Sequence, residues 1–452
     1  MFMYQFELLD YIFIGIYFLI LIAIGLNAAK KQGTESFLIS DRKLGLISGI
    51  STINATKTGS ILMIFAALLY VYSFSAIWFF IGIGAGYTLF IPFARRLHDQ
   101  SEGKFYTLAE YYFKLYDKQC SYWASGINLI TMFGLFLINL IATAKIFSYY
   151  THLNYTLAVL IVAFVILIYL LLGGFHAVVR TDILQYFAII AILLLFALVL
   201  SKDIQIPSKE WDPFHAGLIE ISGFLILGFF IPFASPDLWQ RVYAFPSKKL
   251  LTHSLIGSII LYLLLGIVLA FIGLMIKTKL PNIDPDIALV HGLVTLLPAG
   301  LSGLIVIVLF AALMSSIDTY IYTAASTVIQ DFFKKMDKEN IKKQIRKAIV
   351  GLVILGSILA IALANLIQTA YIFSAFAMLL SIPTLVTWNQ PKTPVFILRF
   401  TFILGFILFG SYLIYNLIQQ DPLTPFVFVV SFACACTALI IATIAYRVKD
   451  RN

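Results

Sequence analysis

The chain has 452 residues, of which 61% are hydrophobic and only 12% charged, with a net charge of +9 and a mean hydropathy of +0.97. A soluble domain carries about 45–50% apolar and about 25% charged residues, so this composition cannot build a water-facing surface and indicates an all-α integral membrane protein. It leaves little room for an appended catalytic or nucleic-acid-binding domain: the chain reads as no enzyme, with no organic cofactor, no nucleic-acid partner and the lipid bilayer as its surroundings.

A bilayer core about 30 Å thick takes about 20 apolar residues per helix. In chain order that predicts thirteen spans, near 9–29, 44–72, 76–94, 122–150, 155–173, 182–201, 217–234, 250–276, 300–331, 348–364, 366–387, 394–418 and 423–446. The first follows Glu7 and Asp10 rather than a basic segment and meets no small-residue cleavage site before Lys30 and Lys31, so it reads as a retained helix. Lys and Arg collect in cytoplasmic loops. With the N-terminus outside, only Lys202, Lys209, Lys277 and Lys279 of the 31 Lys and Arg fall on the outer side, and Lys57 and Lys145 lie inside spans. Topology therefore explains the basic charge, in a multi-pass plasma-membrane protein whose C-terminus is cytoplasmic. The stretch 106–118 and the basic run 334–347 read as solvated loops and a surface helix near anionic headgroups. Cys120, Cys434 and Cys436 form no disulfide framework, and the six histidines show no metal-ligand spacing.

Two spans break the rules of a lipid-facing helix. The second carries Ser51, Thr52, Asn54, Thr56, Lys57, Thr58, Gly59 and Ser60, and the seventh carries Pro232, Ser235, Pro236 and Asp237. Irregular backbone at membrane depth survives only where it is buried in protein or lines a cavity. Interrupted spans five helices apart are expected of two inverted five-helix repeats that hold substrate and coupling ion at the breaks. On this reading 1–452 is one transporter domain, with an extra N-terminal helix at 9–29, repeats at 44–201 and 217–387, and two C-terminal helices at 394–446. Kinks alone also fit a channel, a sensor or a structural bundle.

Specific residues narrow this. Gly173-Gly174-Phe175-His176-Ala177-Val178-Val179-Arg180-Thr181-Asp182-Ile183-Leu184-Gln185, Ala311-Ala312-Leu313-Met314-Ser315-Ser316, Pro236-Asp237-Leu238-Trp239-Gln240-Arg241 and Thr107-Leu108-Ala109-Glu110 are similar to signatures of the sodium:solute symporter family. That family includes sodium/proline, sodium/sugar and sodium/sialic acid transporters. The resemblance implies a leucine-transporter-type core preceded by one extra helix, and import of a small polar solute by alternating access, with Na+ as the coupling ion. It further implies a cation site made by the carbonyls of Ala55, Thr58 and Ala312 with the hydroxyls of Ser315 and Ser316. Read alone, those serines would bond back to their own helix.

Asp182, with Gln185 three residues on, makes a capping-box pattern for a helix starting there, and the resemblance also places an acid here on the cytoplasmic cation path. Asn139 stands where similar transporters place Gln or Asn facing substrate, an interhelical hydrogen bond being the alternative. Ser235 falls at the seventh-span break and is expected to line the path. Lys145 lies near a span end, where its stem can snorkel outward. Lys57 departs from the relatives, which carry Asp or Asn, and lies too deep to reach water along its own helix. Three readings stand for it: an ion pair with an acid on a neighbouring helix, a surrogate for the cation that makes transport H+-coupled or uncoupled, or a ligand for a substrate carboxylate. A transporter-like membrane sensor is the alternative from another functional class.

Overall fold

The computed structural model describes residues 8–29, 39–172, 175–202, 205–298, 300–333 and 338–451. Gly173 and Gly174 of the first signature, Lys30, Lys31, Lys334 and Lys335 lie outside them. The described residues form helices and connecting turns with no strand: α1 Leu8–Ala29, α2 Leu46–Tyr72, α3 Trp78–Ser101, α4 Leu108–Leu115, α5 Lys118–Thr151, α6 Tyr155–Leu172, α7 Phe175–Leu200, α8 Leu218–Phe230, α9 Pro236–Ala244, α10 Lys248–Lys279, α11 Ala288–Leu296, α12 Ser302–Thr327, α13 Lys338–Ala362, α14 Leu366–Asn389, α15 Val395–Gln419 and α16 Phe426–Arg451. Every expected span falls on one of these helices or on the bent pair α8/α9. By length and apolarity alone, nine helical stretches among the described residues qualify as crossings, or ten with the bent pair, Leu46–Ser101 being taken as one.

The bundle repeats its own packing. Helix α2 rests on α10 and α7, while the bent segment five spans later rests on α3 and α14; α5 packs on α14 as α12 packs on α7, and α6 pairs with α13. Advancing these helices by five spans exchanges the contacts just named, whereas the extensive packing of α2 on α12 has no comparable counterpart between α5 and the bent segment among the described residues. Helix α1 lies outside this core against α12 and α7, where Gly303 N donates to Asp10 Oδ1 at 2.6 Å. Helices α15 and α16 pack on each other, α15 also against α5 and α16 against α14 and α8.

The seventh span is broken as the sequence predicts, by 44° between Leu218–Ala234 and Pro236–Ala244. Pro232 and Pro236 each remove a backbone donor, and the residue before proline is pushed out of the helical region; Ser235 accordingly sits at φ −106°, ψ 95°. Its hydroxyl donates back to Ile231 O at 2.7 Å. The second span is not broken. Helix α2 runs uninterrupted from Leu46 to Tyr72, and three of its polar side chains bond to carbonyls four residues back on the same helix: Asn54 Nδ2 to Ile50 O, Thr56 Oγ1 to Thr52 O and Thr58 Oγ1 to Asn54 O.

Three further expectations change. Asp182 caps nothing, since α7 begins at Phe175 and Asp182 lies within the helix. The stretch 106–118 is no surface helix: α4 buries Leu108, Ala109, Tyr111 and Tyr112, and Tyr111 and Tyr112 hydrogen-bond to Thr387 and Thr384 of α14. The Thr107-to-Glu110 signature is a capping box, with Glu110 Oε2 accepting from Thr107 N at 3.0 Å. Lys145 does not snorkel free but pairs with Asp286 Oδ2 at 2.6 Å.

Candidate functional site

Helices α2 and α12 meet where the expected cation site lies. Ser315 Oγ donates to Ala55 O at 3.0 Å and to Ala312 O at 2.8 Å, while Ser316 Oγ approaches Ala312 O at 3.2 Å and Ala55 O at 3.5 Å. Gly59 N donates to Ser316 Oγ at 3.0 Å. Four of the five expected oxygens are therefore within hydrogen-bond reach of one another, all buried. Thr58 is buried on the same helix, with its hydroxyl turned back on Asn54 O. A hydroxyl has one proton and two lone pairs, so a rotation that withdraws the protons from the two carbonyls presents four oxygens to a cation.

Two residues join this cluster that the sequence reading grouped elsewhere or passed over. A Cβ on Gly59 would lie 2.5 Å from Ala312 O, 2.5 Å from Ser316 Oγ and 2.7 Å from Asn139 Oδ1, so only glycine allows this approach of α12 and α5 to α2. Asn139 donates Nδ2 to Leu135 O at 2.7 Å, and its buried Oδ1 has no hydrogen-bond partner. It thus faces the serine cluster, not the cavity described below. Gly59→Ala is expected to force α12 off α2, lowering stability by about 1–3 kcal/mol as overpacking does and removing sodium stimulation of uptake; thermal unfolding and vesicle uptake of the variant check both.

Lys57 lies elsewhere. Two residues beyond Ala55 is about 200° around a helix, which turns Lys57 away from the serines. Its Nζ pairs with both carboxylate oxygens of Asp237, each at 3.2 Å, with the lysine and aspartate side chains 5% and 2% exposed. The ammonium also stands 5.9 Å from the Tyr320 ring centroid. Of the three readings, the structure contains the ion pair. Asp237 was within the quoted signature, but only the bend of the seventh span brings it to α2 across 180 residues of sequence.

A second buried pair lies one turn away. Arg241 Nε donates to Thr52 O at 3.1 Å and to Thr52 Oγ1 at 3.0 Å, its NH2 donates to Thr319 Oγ1 at 3.1 Å, and Asp182 Oδ2 stands 3.8 Å from the guanidinium. Thr52 Oγ1 in turn donates to Asp182 Oδ2 at 2.6 Å. Asp182 is thereby tied to α2 and α9, and its Oδ1 has no hydrogen-bond partner. All nine residues of α9 are buried.

Above the break is a cavity of about 80 Å³. Lys57, Ser60, Thr131, Ser235, Tyr320 and Ser374 give it polar groups; Ile61, Ile64, Phe65, Leu68, Phe79, Leu135, Leu227, Ile231 and Phe428 give it apolar walls. Lys57 and Ser235, both expected on the solute path, share this cavity.

Residues 37–206 and 213–388 match the sequence pattern of the sodium:solute symporter family. The chain belongs to that family. Among its relatives is the sodium/proline symporter of Staphylococcus aureus (strain Newman), 26% identical over 387 residues, an alignment covering 78% of this chain and 75% of that one. The fold is similar to that of a Na+-coupled sialic acid symporter in a substrate-bound outward-open state, with a TM-score of 0.79 and 18% identity over 97% of this chain and 98% of that one. It is also similar to Mhp1, a nucleobase-cation-symport-1 family transporter in a closed conformation, with a TM-score of 0.57 and 13% identity over 91% and 94%. The architecture is therefore the leucine-transporter type. As a member of this family the chain is a multi-pass membrane transporter, a sodium-coupled symporter and not an enzyme.

Proposed function

We propose that this symporter imports a small polar solute by alternating access, with Na+ bound between α2 and α12 by Ala55 O, Thr58 O, Ala312 O, Ser315 Oγ and Ser316 Oγ. The convergence of four of these oxygens between α2 and α12, two of them against Gly59, carries the reading. Neutral oxygens replace the hydration shell of a monovalent cation without holding it irreversibly, and sodium entering down its concentration gradient supplies the drive for uptake. Asp182 is a station on the cation path below this site, and Lys57 is the partner of Asp237 rather than a surrogate for sodium. The repeats are 44–201 and 217–387, flanked by 9–29 and 394–446, and the spans number thirteen.

The N-terminus lies outside and the C-terminus in the cytoplasm of a plasma-membrane protein. Basic side chains at one end of the bundle support this: Arg42 donates to Tyr243 O and Phe105 O, Arg96 to Trp388 O, Lys248 pairs with Asp99 and Arg399 with Asp117. The cavity above the break then faces outward and α9 closes the cytoplasmic side. A cysteine at Ser235 is expected to react with a water-soluble thiol reagent, at a rate that sodium and solute change; inertness in every condition, with loop cysteines reactive, contradicts the path.

Uptake of a labelled solute into vesicles tests the function. Accumulation driven by a sodium gradient, lost when choline replaces sodium at mildly acidic and mildly alkaline pH alike, is the expected result. Uptake that ignores sodium but follows a proton gradient contradicts it, and binding without accumulation identifies a sensor.

A further inference from the structure

We infer that the solute is a small carboxylate with an apolar body, and that Lys57 receives its carboxylate; this rests on the symporter reading above. The cavity is lined overwhelmingly by apolar side chains with a few polar groups among them, so it fits a solute with one polar head and a hydrocarbon remainder. Lys57 is the charged group of that lining, and an ammonium at such depth is costly unless it serves a partner.

Asp237 does not exhaust it. Charge-assisted N–H···O bonds are about 2.7–2.9 Å long, whereas Lys57 straddles both oxygens of Asp237 at 3.2 Å. An ammonium has three N–H groups, and Asp237 takes at most two. Asp237 has support of its own, since it lies in the first turn of α9, where the helix dipole favours a carboxylate. The ammonium is thus able to turn toward a second anion without abandoning the first to an apolar interior.

Charge decides the sign of the solute. Lys57 and Asp237 together are neutral, so an added carboxylate leaves one negative charge, and Na+ on the opposite face of the same turns of α2 returns the group to neutrality. A cationic solute would face the ammonium and add to the sodium charge. Solute and ion bound on two faces of one helix therefore each favour the other, and such coupling is reciprocal. An amino acid presents the same carboxylate to Lys57 and has Asp237 for its ammonium, but as a zwitterion it leaves the sodium charge uncompensated.

Thermal unfolding of the purified full-length protein tests this. The probes are unbranched carboxylates from acetate to hexanoate, L-alanine, L-valine and L-leucine, and the amides and amines matching each, with and without sodium. Carboxylates or amino acids are expected to stabilise the protein in sodium, and amides and amines are not. Stabilisation by amino acids and simple acids alike assigns recognition to the carboxylate alone; stabilisation by amino acids only adds Asp237 as the ammonium partner. Lys57→Met is expected to weaken carboxylate binding at least tenfold while keeping the shift that sodium alone produces, and Lys57→Arg to retain both. Should Lys57→Met not fold, Lys57→Met with Asp237→Asn removes the whole pair and carries the same expectation. Amides or amines that bind as well as the acids, no stabilisation by any acid, or undiminished acid binding in these variants overturns the inference. Absence of any sodium shift in the wild type instead overturns the symporter reading beneath it.

Discussion

Replacing Ser315 and Ser316 together with alanine is expected to abolish sodium-stimulated uptake while the protein still reaches the membrane and keeps its fold. Both hydroxyls lie within 3.5 Å of Ala55 O and Ala312 O, so their loss removes two of the proposed ligands and the bridges that hold the carbonyls together. Losing groups that merely support a metal ligand costs about 10–100-fold in affinity, and losing two ligands is expected to cost at least as much. Fold should survive because each hydroxyl satisfies carbonyls on a helix whose regular hydrogen bonds remain. Uptake as a function of sodium, with membrane expression measured in parallel, reads the effect; unchanged sodium dependence in the double variant rules the site out.

Asp237→Ala is expected to lower stability by about 3–5 kcal/mol, the cost of leaving one member of a buried ion pair without its partner. Lys57 is 4% exposed and its ammonium has Asp237 as its anion, so in the variant it must deprotonate or draw water into the core. Lys57→Met combined with Asp237→Leu removes both charges and is expected to regain most of the loss, since hydrophobic replacement of a buried pair is often neutral or stabilising. Thermal unfolding of the three proteins separates a charge effect from a packing effect: a double variant as unstable as Asp237→Ala assigns the loss to packing.

The membrane helices were readable because each apolar run is a local property of the sequence, and the bend at Ser235 because Pro232 and Pro236 enforce it wherever they stand. The continuity of α2 was not readable in the same way. Asn54, Thr56 and Thr58 look like a break in composition, but their bonds to Ile50, Thr52 and Asn54 are made only once the helix exists. Asp182 shows the same limit, because its capping pattern is local while α7 already runs from Phe175. At the candidate site, the serine pair was reached through its resemblance to known signatures. The need of Lys57 for a partner followed from depth alone, but the identity of that partner depended on a tertiary bend. Gly59 and the true neighbours of Asn139 could be found only from packing, since nothing in a glycine's local sequence reports three oxygens converging on it.

The most direct measurement is equilibrium binding of radioactive sodium to the purified full-length protein without solute, in the wild type, in Lys57→Met and in the Ser315→Ala, Ser316→Ala variant. A sodium site between α2 and α12 that does not involve Lys57 predicts saturable sodium binding in the first two and its loss in the third. Sodium binding unchanged by the serine substitutions, or absent from the wild type and restored by Lys57→Asn, would contradict it.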